Sequence, residues 1–169
     1  MARRVSFNLR WVCVLVSTIG IAACATRQQQ HPDANAFGSA SYGENTVAGS
    51  ASLVSRSGYV RTCDGNAVYL MPITTASTDL MVDLFGKASG GVGQRFKFED
   101  RSNEIQHSGK QVECQRNGTF KFEHVADGNY YAVTDVTWLL RLTPEGAALG
   151  AIVQANGGQT TEVELRHQY

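Results

Sequence analysis

The chain has 169 residues, and several things it lacks narrow its reading. Its longest apolar run, Trp11 to Ala23, has 13 residues, short of the roughly 20 that cross about 30 Å of hydrocarbon as a helix. It has no excess charge of either sign: 15 Lys plus Arg balance 15 Asp plus Glu. Without a basic stripe or tail, a nucleic-acid surface is not expected. There is no C-x-x-C, which argues against thiol redox catalysis. His31, His107, His124 and His167 follow no H-x-H or H-E-x-x-H spacing, and the cysteines lack the paired spacing of zinc sites, so no metal is expected. No serine sits in a G-x-S-x-G elbow. Gly90-Gly91-Val92-Gly93 lacks the lysine and Ser/Thr of a phosphate loop and reads as a flexible connection. These absences point to a non-enzyme without a cofactor.

The amino terminus carries its own signal. Arg3, Arg4 and Arg10 precede the short apolar run, which closes on small residues, the make-up of a secretory signal peptide. Its end, Ile21-Ala22-Ala23-Cys24, resembles the lipobox of bacterial lipoproteins. That resemblance implies removal of residues 1–23 and a mature chain that starts at a lipidated Cys24. Ordinary cleavage around Ala23-Cys24-Ala25 is the competing reading. Ala25, where such lipoproteins often carry an aspartate for inner-membrane retention, implies the outer membrane and a cell-envelope location. The mature chain keeps 12 of the 15 basic residues, losing the three in the signal, against all 15 acidic ones. At a net charge of −3 the domain would not seek anionic lipid, and the anchor would hold it at the membrane. Of the remaining cysteines, Cys13 falls in the signal, and Cys63 and Cys114 form an even pair in an oxidising compartment. A disulfide between them is expected.

Residues 24–45, rich in Gln, Ser, Gly, Ala and Asn, cannot bury enough apolar surface to offset ordering entropy, and read as a tether. The domain is then expected over 46–169. A first strand is read over Thr46–Ser55 and a second over Ala67–Ile73, with Pro72 marking an edge or a strand end. Leu80, Met81, Leu84 and Phe85 recur at helical spacing, which predicts one short helix over 77–86, capped by Ser77 or Thr78, stopped by Gly86 and lying over an open end of the fold. Phe96 and Phe98 alternate with charged residues over Arg95–Asp100, and Val112 shares a face with Cys114. The central stretch, Gly118 to Tyr131, reads as turn, strand, turn, strand. Phe120 and Phe122 alternate with Lys121 and Glu123, while Asn117-Gly118 and Asp127-Gly128 supply turn residues. His124 follows Glu123 outside that alternation and is expected in solvent. Tyr130–Leu142 is the longest strand, with Tyr130, Ala132, Val136 and Trp138 on one face and Tyr131, Val133 and Asp135 on the other; apolar residues on both faces predict an inner strand. A turn at Pro144-Glu145-Gly146, a strand over Ala148–Val153, a turn at Asn156-Gly157-Gly158 and a last strand over Thr160–Arg166 complete the chain. Asp79/Asp83 and Glu162/Glu164 read as solvated faces.

Gly118, Phe120, Phe122, Val125, Gly128 and Tyr130, with Val47-x-Gly49 early and G-G-Q-T-T-E-V-E-L late, resemble the signature of the carboxypeptidase regulatory-like modules. Ala126-Asp127 stands where that signature often has a proline. The resemblance covers roughly residues 46–166 and implies an all-β, single Greek-key, transthyretin-like sandwich of about seven strands. In such a fold the two phenylalanines fill the core and the Tyr130 hydroxyl reaches the backbone, as in a tyrosine corner.

Two functions fit these readings. One is a lipid-anchored structural or interaction module that meets another envelope protein. The other is a ligand-binding module, for carbohydrate or peptide, that uses Tyr131 and Asp135 on the strand face opposite Trp138.

Overall fold

A computed structural model describes residues 42–169. The expected signal peptide, Cys24 and the tether up to residue 41 lie outside the described residues. Nine strands and three helices follow in the order β1 (Tyr42–Val54), β2 (Val60–Thr62), β3 (Ala67–Pro72), α1 (Thr75–Phe85), β4 (Gly90–Gln94), α2 (Arg95–Asp100), α3 (Ser102–Gln106), β5 (Lys110–Glu113), β6 (Thr119–Val125), β7 (Gly128–Leu140), β8 (Thr143–Ala155) and β9 (Thr160–Gln168). Two sheets face each other. In one, β1 is flanked by β9 on one side and by β6 and β2 in succession on the other; in the second the order is β4-β8-β7-β3-β5. All pairs are antiparallel except β1 with β9. The expected all-β sandwich is what the chain adopts, with more strands and two more helices than its sequence suggested.

The core follows from strand alternation. Val47, Phe120, Phe122, Val125 and Leu165 from the first sheet meet Leu70, Tyr130, Ala132, Val136 and Leu149 from the second. Phe120 and Phe122 pack edge to face with ring centres 6.0 Å apart. Cys63 and Cys114 are bonded and fully buried among them, with Cα atoms 5.7 Å apart. The Tyr130 hydroxyl donates to the Ala126 carbonyl at 2.9 Å, so the tyrosine corner forms. His124 is exposed, as expected.

The first strand begins at Tyr42, ahead of the expected boundary at 46, because Asn45 binds three segments together. Its amide donates to the Val125 carbonyl (2.9 Å) and to Asp127 Oδ1 (2.8 Å), and its Oδ1 accepts from the Gln159 backbone at 3.2 Å. Asp127 Oδ1 also accepts from the Gly157 N–H. Asn45 is 1% exposed, so these bonds satisfy a group that burial would otherwise penalise.

The chain turns at Asn117-Gly118 and Asn156-Gly157-Gly158 and bends at Asp127, where Gly128 already opens β7. These are not hairpin turns, because each joins strands of opposite sheets. Gly118, at φ +83°, supplies the left-handed residue the first requires. The expected turn at Pro144-Glu145-Gly146 is instead part of β8. The β7–β8 hairpin turns three residues earlier, at Arg141-Leu142, where Leu140 pairs with Thr143 and both turn residues have positive φ. Gly90–Gly93, read as a flexible connection, forms most of β4 and pairs with β8 along the sheet edge.

Arg95–Asp100 is α2, not a strand. Phe98 is buried while Phe96 is exposed, and Arg95 pairs with Glu99 one helical turn on. The polar run after it forms α3, whose Ile105 joins Phe98, Leu80, Met81 and Leu84 in a second core. That core covers the outer face of the five-stranded sheet, against Met71, Tyr131, Val133 and Ala148. α1 thus lies on a sheet face, not over an open end. It begins at Thr74, whose hydroxyl accepts from the Ser77 N–H, while Ser77 Oγ accepts from the Thr74 N–H in return, and Gly86 ends it in the left-handed conformation. Gly150 makes room for this packing, since a Cβ there would lie 2.8 Å from the Phe85 ring. Asp83 on α1 holds Arg101 at 3.0 Å and Lys97 at 3.7 Å, which ties the helical layer together.

Candidate functional site

Tyr131 and Asp135 do share a strand face, as the alternation required, but that face is not open. The helices bury it. Tyr131 is 2% exposed, and its hydroxyl lies 3.1 Å from Thr78 Oγ1 on α1. It is a packing residue and not a ligand platform. Asp135 sits beneath α2, near Glu99, Arg95 and Tyr69. Burial pushes its carboxyl above the usual range, and the Glu99 charge adds to this; a backbone hydrogen bond and the Arg95 charge pull the other way. The Tyr69 hydroxyl is likewise raised, first by burial and then by Asp135.

The open concave surface lies elsewhere, at one end of the sandwich. Val136 and Ala147 are buried core residues paired across β7 and β8, and Gln94 pairs with Ala147 from β4. One step further along the same face the pair is Trp138 and Glu145. Cross-strand partners and residues two apart share a face, so Gln94, Trp138 and Glu145 continue the core face beyond the part that is covered. They form the floor of a groove of about 1180 Å³.

One wall is the β1–β2 connection, Ser55 to Tyr59, together with Arg61 of β2 and Tyr169; the other is the end of α1 and the start of α2, with Phe85, Phe96 and Lys97. Tyr59 is 67% exposed, Phe96 55% and Tyr169 50%, so aromatic faces open to solvent line both sides. The Arg61 guanidinium lies over the Trp138 ring, 5.9 Å from its centre, within cation–π range. Tyr169 packs edge to face on His167 at 5.1 Å. The charged and amide side chains of the lining are Arg56, Arg61, Arg95, Lys97, Asp83, Glu145 and Gln94.

The disulfide contributes directly to this geometry. β2 has three residues and pairs only with the end of β1, Leu53 opposite Arg61. Cys63, two residues after Arg61, is bonded to Cys114 and donates its N–H to Ala51. Asn66 then reaches the Asp135 carbonyl (3.0 Å) and Thr137 Oγ1 (3.3 Å), which fixes the segment against β7 just before Trp138.

The groove residues come from both ends of the domain and from its middle, and none belongs to a local motif. The one usable signal in the sequence was Trp138, placed on the core-facing side of the longest strand. Among the described residues no cluster of three or more His, Cys, Asp or Glu forms a metal-binding group, and no helix is long and apolar enough to cross a membrane.

No protein-family model matches the chain, and no curated protein does. Among solved structures it is similar to a Pseudomonas aeruginosa protein described as a "putative carbohydrate binding protein". The likeness has a TM-score of 0.56 at 21% identity and covers 75% of this chain and 90% of that one. At that identity the two share a fold.

Proposed function

We propose that this chain is a lipid-anchored envelope β-sandwich that binds carbohydrate, without catalysis, in the groove at the Trp138 end. The observation that carries the reading is the groove itself, where Tyr59, Phe96, Trp138 and Tyr169 surround hydrogen-bonding side chains. Sugar rings present apolar C–H faces ringed by hydroxyls, so a site for them needs flat aromatic surface beside polar groups, as concave ligand sites generally do. The shared fold with a protein described as a "putative carbohydrate binding protein" supports the same reading. The basic, apolar and small-residue start of the chain, with Cys24 after Ala22-Ala23, supports the anchor and an outer-membrane location.

The test is a glycan array probed with the full chain in detergent, with calorimetry on any hit. Trp138→Ala and Tyr59→Ala should each weaken binding at least about tenfold, the scale of a lost stacking contact of about 1.5 kcal/mol. Tyr131→Phe should bind normally. If no glycan is captured, or if both groove variants bind as the parent does, the reading fails.

A second reading, an interaction module for an envelope protein, is favoured by the tip of the β7–β8 hairpin. Leu139, Leu140 and Leu142 are 69%, 51% and 90% exposed there, a concentration of apolar surface that partners commonly cover. Cross-linking in intact cells should then recover a discrete protein with the parent, but not with Leu142→Asp or with a Cys24→Ala form released from the membrane.

A further inference from the structure

The charges in the groove are unevenly matched. Asp83 faces both Lys97 and Arg101, and Arg95 is paired with Glu99, so these charges are largely answered within the protein. Among the described residues, neither Arg56 nor Arg61 has a carboxylate partner. Glu145 is the only other charged groove side chain without a partner there. Residues 42–169 carry 11 basic and 14 acidic side chains, so this basic patch stands out in a domain that is acidic overall.

We propose that the groove selects an acidic glycan, one whose sugars carry carboxylates, and that Arg61 is the residue that reads the carboxylate. The proposal rests on the carbohydrate reading above and adds to it the ligand's charge. A guanidinium is a planar fork of donors that matches a carboxylate with two parallel hydrogen bonds. Arg61 projects from β2, which is fixed on one side by Leu53 and two residues later by the Cys63–Cys114 bond. Its head rests over Trp138, so a sugar ring that packs against that indole meets the charge directly. A uronate sugar places its carboxylate at the rim of the ring. Packed against Trp138, it would bring that group to Arg61, while Glu145, the cross-strand partner of Trp138, would accept hydrogen bonds from hydroxyls. Arg56, in the same wall, extends the cationic surface to a neighbouring sugar of the chain.

The experiment is calorimetry of the full chain with an oligogalacturonate and with its fully methyl-esterified form, which keeps the sugar and removes the charge. The acid should bind at least about tenfold tighter at low salt, the scale of one charge-assisted hydrogen bond, and the margin should shrink as salt rises. Arg61→Gln should bring the acid down to the affinity of the ester, and its circular dichroism should match the parent's, which shows that the variant is folded. Arg61→Lys, which keeps the charge but loses the fork, should retain part of the preference. A sulfated oligosaccharide of otherwise uncharged sugars should bind no better than the ester; if it binds as the acid does, the groove selects anions at large and the carboxylate assignment is overturned. If ester and acid bind equally, or Arg61→Gln keeps the preference, the proposal is overturned while the carbohydrate reading stands. If neither probe binds and the array captures no other glycan, both are overturned.

Discussion

Removing the Cys63–Cys114 bond should have both a global and a local effect. The bond closes a loop with a sequence separation of 51, and restricting the unfolded chain over that length stabilises the fold by about 4 kcal/mol on the chain-entropy relation. Both sulfurs are buried, and the Cys63→Ala/Cys114→Ala pair would leave two small gaps in the core, so packing will not offset the loss. With a urea slope of about 2 kcal/mol per molar, the unfolding midpoint of the double variant should fall by about 2 M. The local effect concerns β2. Its three residues pair only with the end of β1, so without the covalent tie Arg61 should lose its fixed place over Trp138. Glycan affinity should therefore fall even in buffer where the double variant remains folded by circular dichroism. Urea titration measures the first effect and calorimetry the second. A midpoint shift under about 0.5 M would refute the stability argument. Unchanged affinity in the folded double variant would refute the positioning argument, whatever the stability result.

Other side chains make separate predictions. Tyr130→Phe removes the bond to the Ala126 carbonyl and should cost about 1 kcal/mol, read as a lower thermal midpoint; an unchanged midpoint would mean that the corner adds no net stability. Ser77→Ala removes a hydroxyl that donates to the Pro72 carbonyl at 2.7 Å and accepts from the Thr74 N–H, and should destabilise by about 2 kcal/mol in denaturant. Asp135 has a raised folded-state pKa, so between the ordinary carboxylate value of about 3.9 and that raised value the native state holds the extra proton, and stability falls as pH rises through that window. Asp135→Asn abolishes this loss. It should be more stable than the parent at pH 7, with a gap that closes below about pH 4; a gap that stays constant with pH would show that the burial of this carboxylate is not the cause.

The parts of the fold legible in the sequence are those in which the signal is local and the periodicity has one reading. Phe120, Phe122, Val163 and Leu165 alternate cleanly with charged residues, and each pair lies on the core side. Alternation also divided β7 correctly, since Tyr130, Ala132 and Val136 belong to one core and Tyr131 and Val133 to the other. It could not show what would cover the second face. That depended on where α1 would lie, and on Arg95–Gln106, where Phe96 and Phe98 fit a strand as well as a helix. Contacts distant in sequence decide the matter: Phe98 packs near Tyr69, with ring centres 6.3 Å apart, and beside Ile105. Once that layer is in place, Tyr131 and Asp135 can no longer form an open site.

The β7–β8 turn was hidden for a different reason. Arg141 and Leu142 adopt left-handed conformations usually left to Gly or Asn, while Pro144-Glu145-Gly146 carries stronger turn residues and yet lies in a strand. The groove was the least legible feature. Its residues are strand ends, a connection and a helix start, brought together only when the two sheets face each other.

The most direct test of the account uses Trp138 itself. The chain has two tryptophans, Trp11 and Trp138, so Trp11→Phe leaves the groove residue as the only one. Titrating that full-length variant with the oligogalacturonate should produce a saturable change in tryptophan emission, half complete at the calorimetric Kd. Emission that stays constant while calorimetry shows the sugar bound would place the binding site away from the groove and contradict the account.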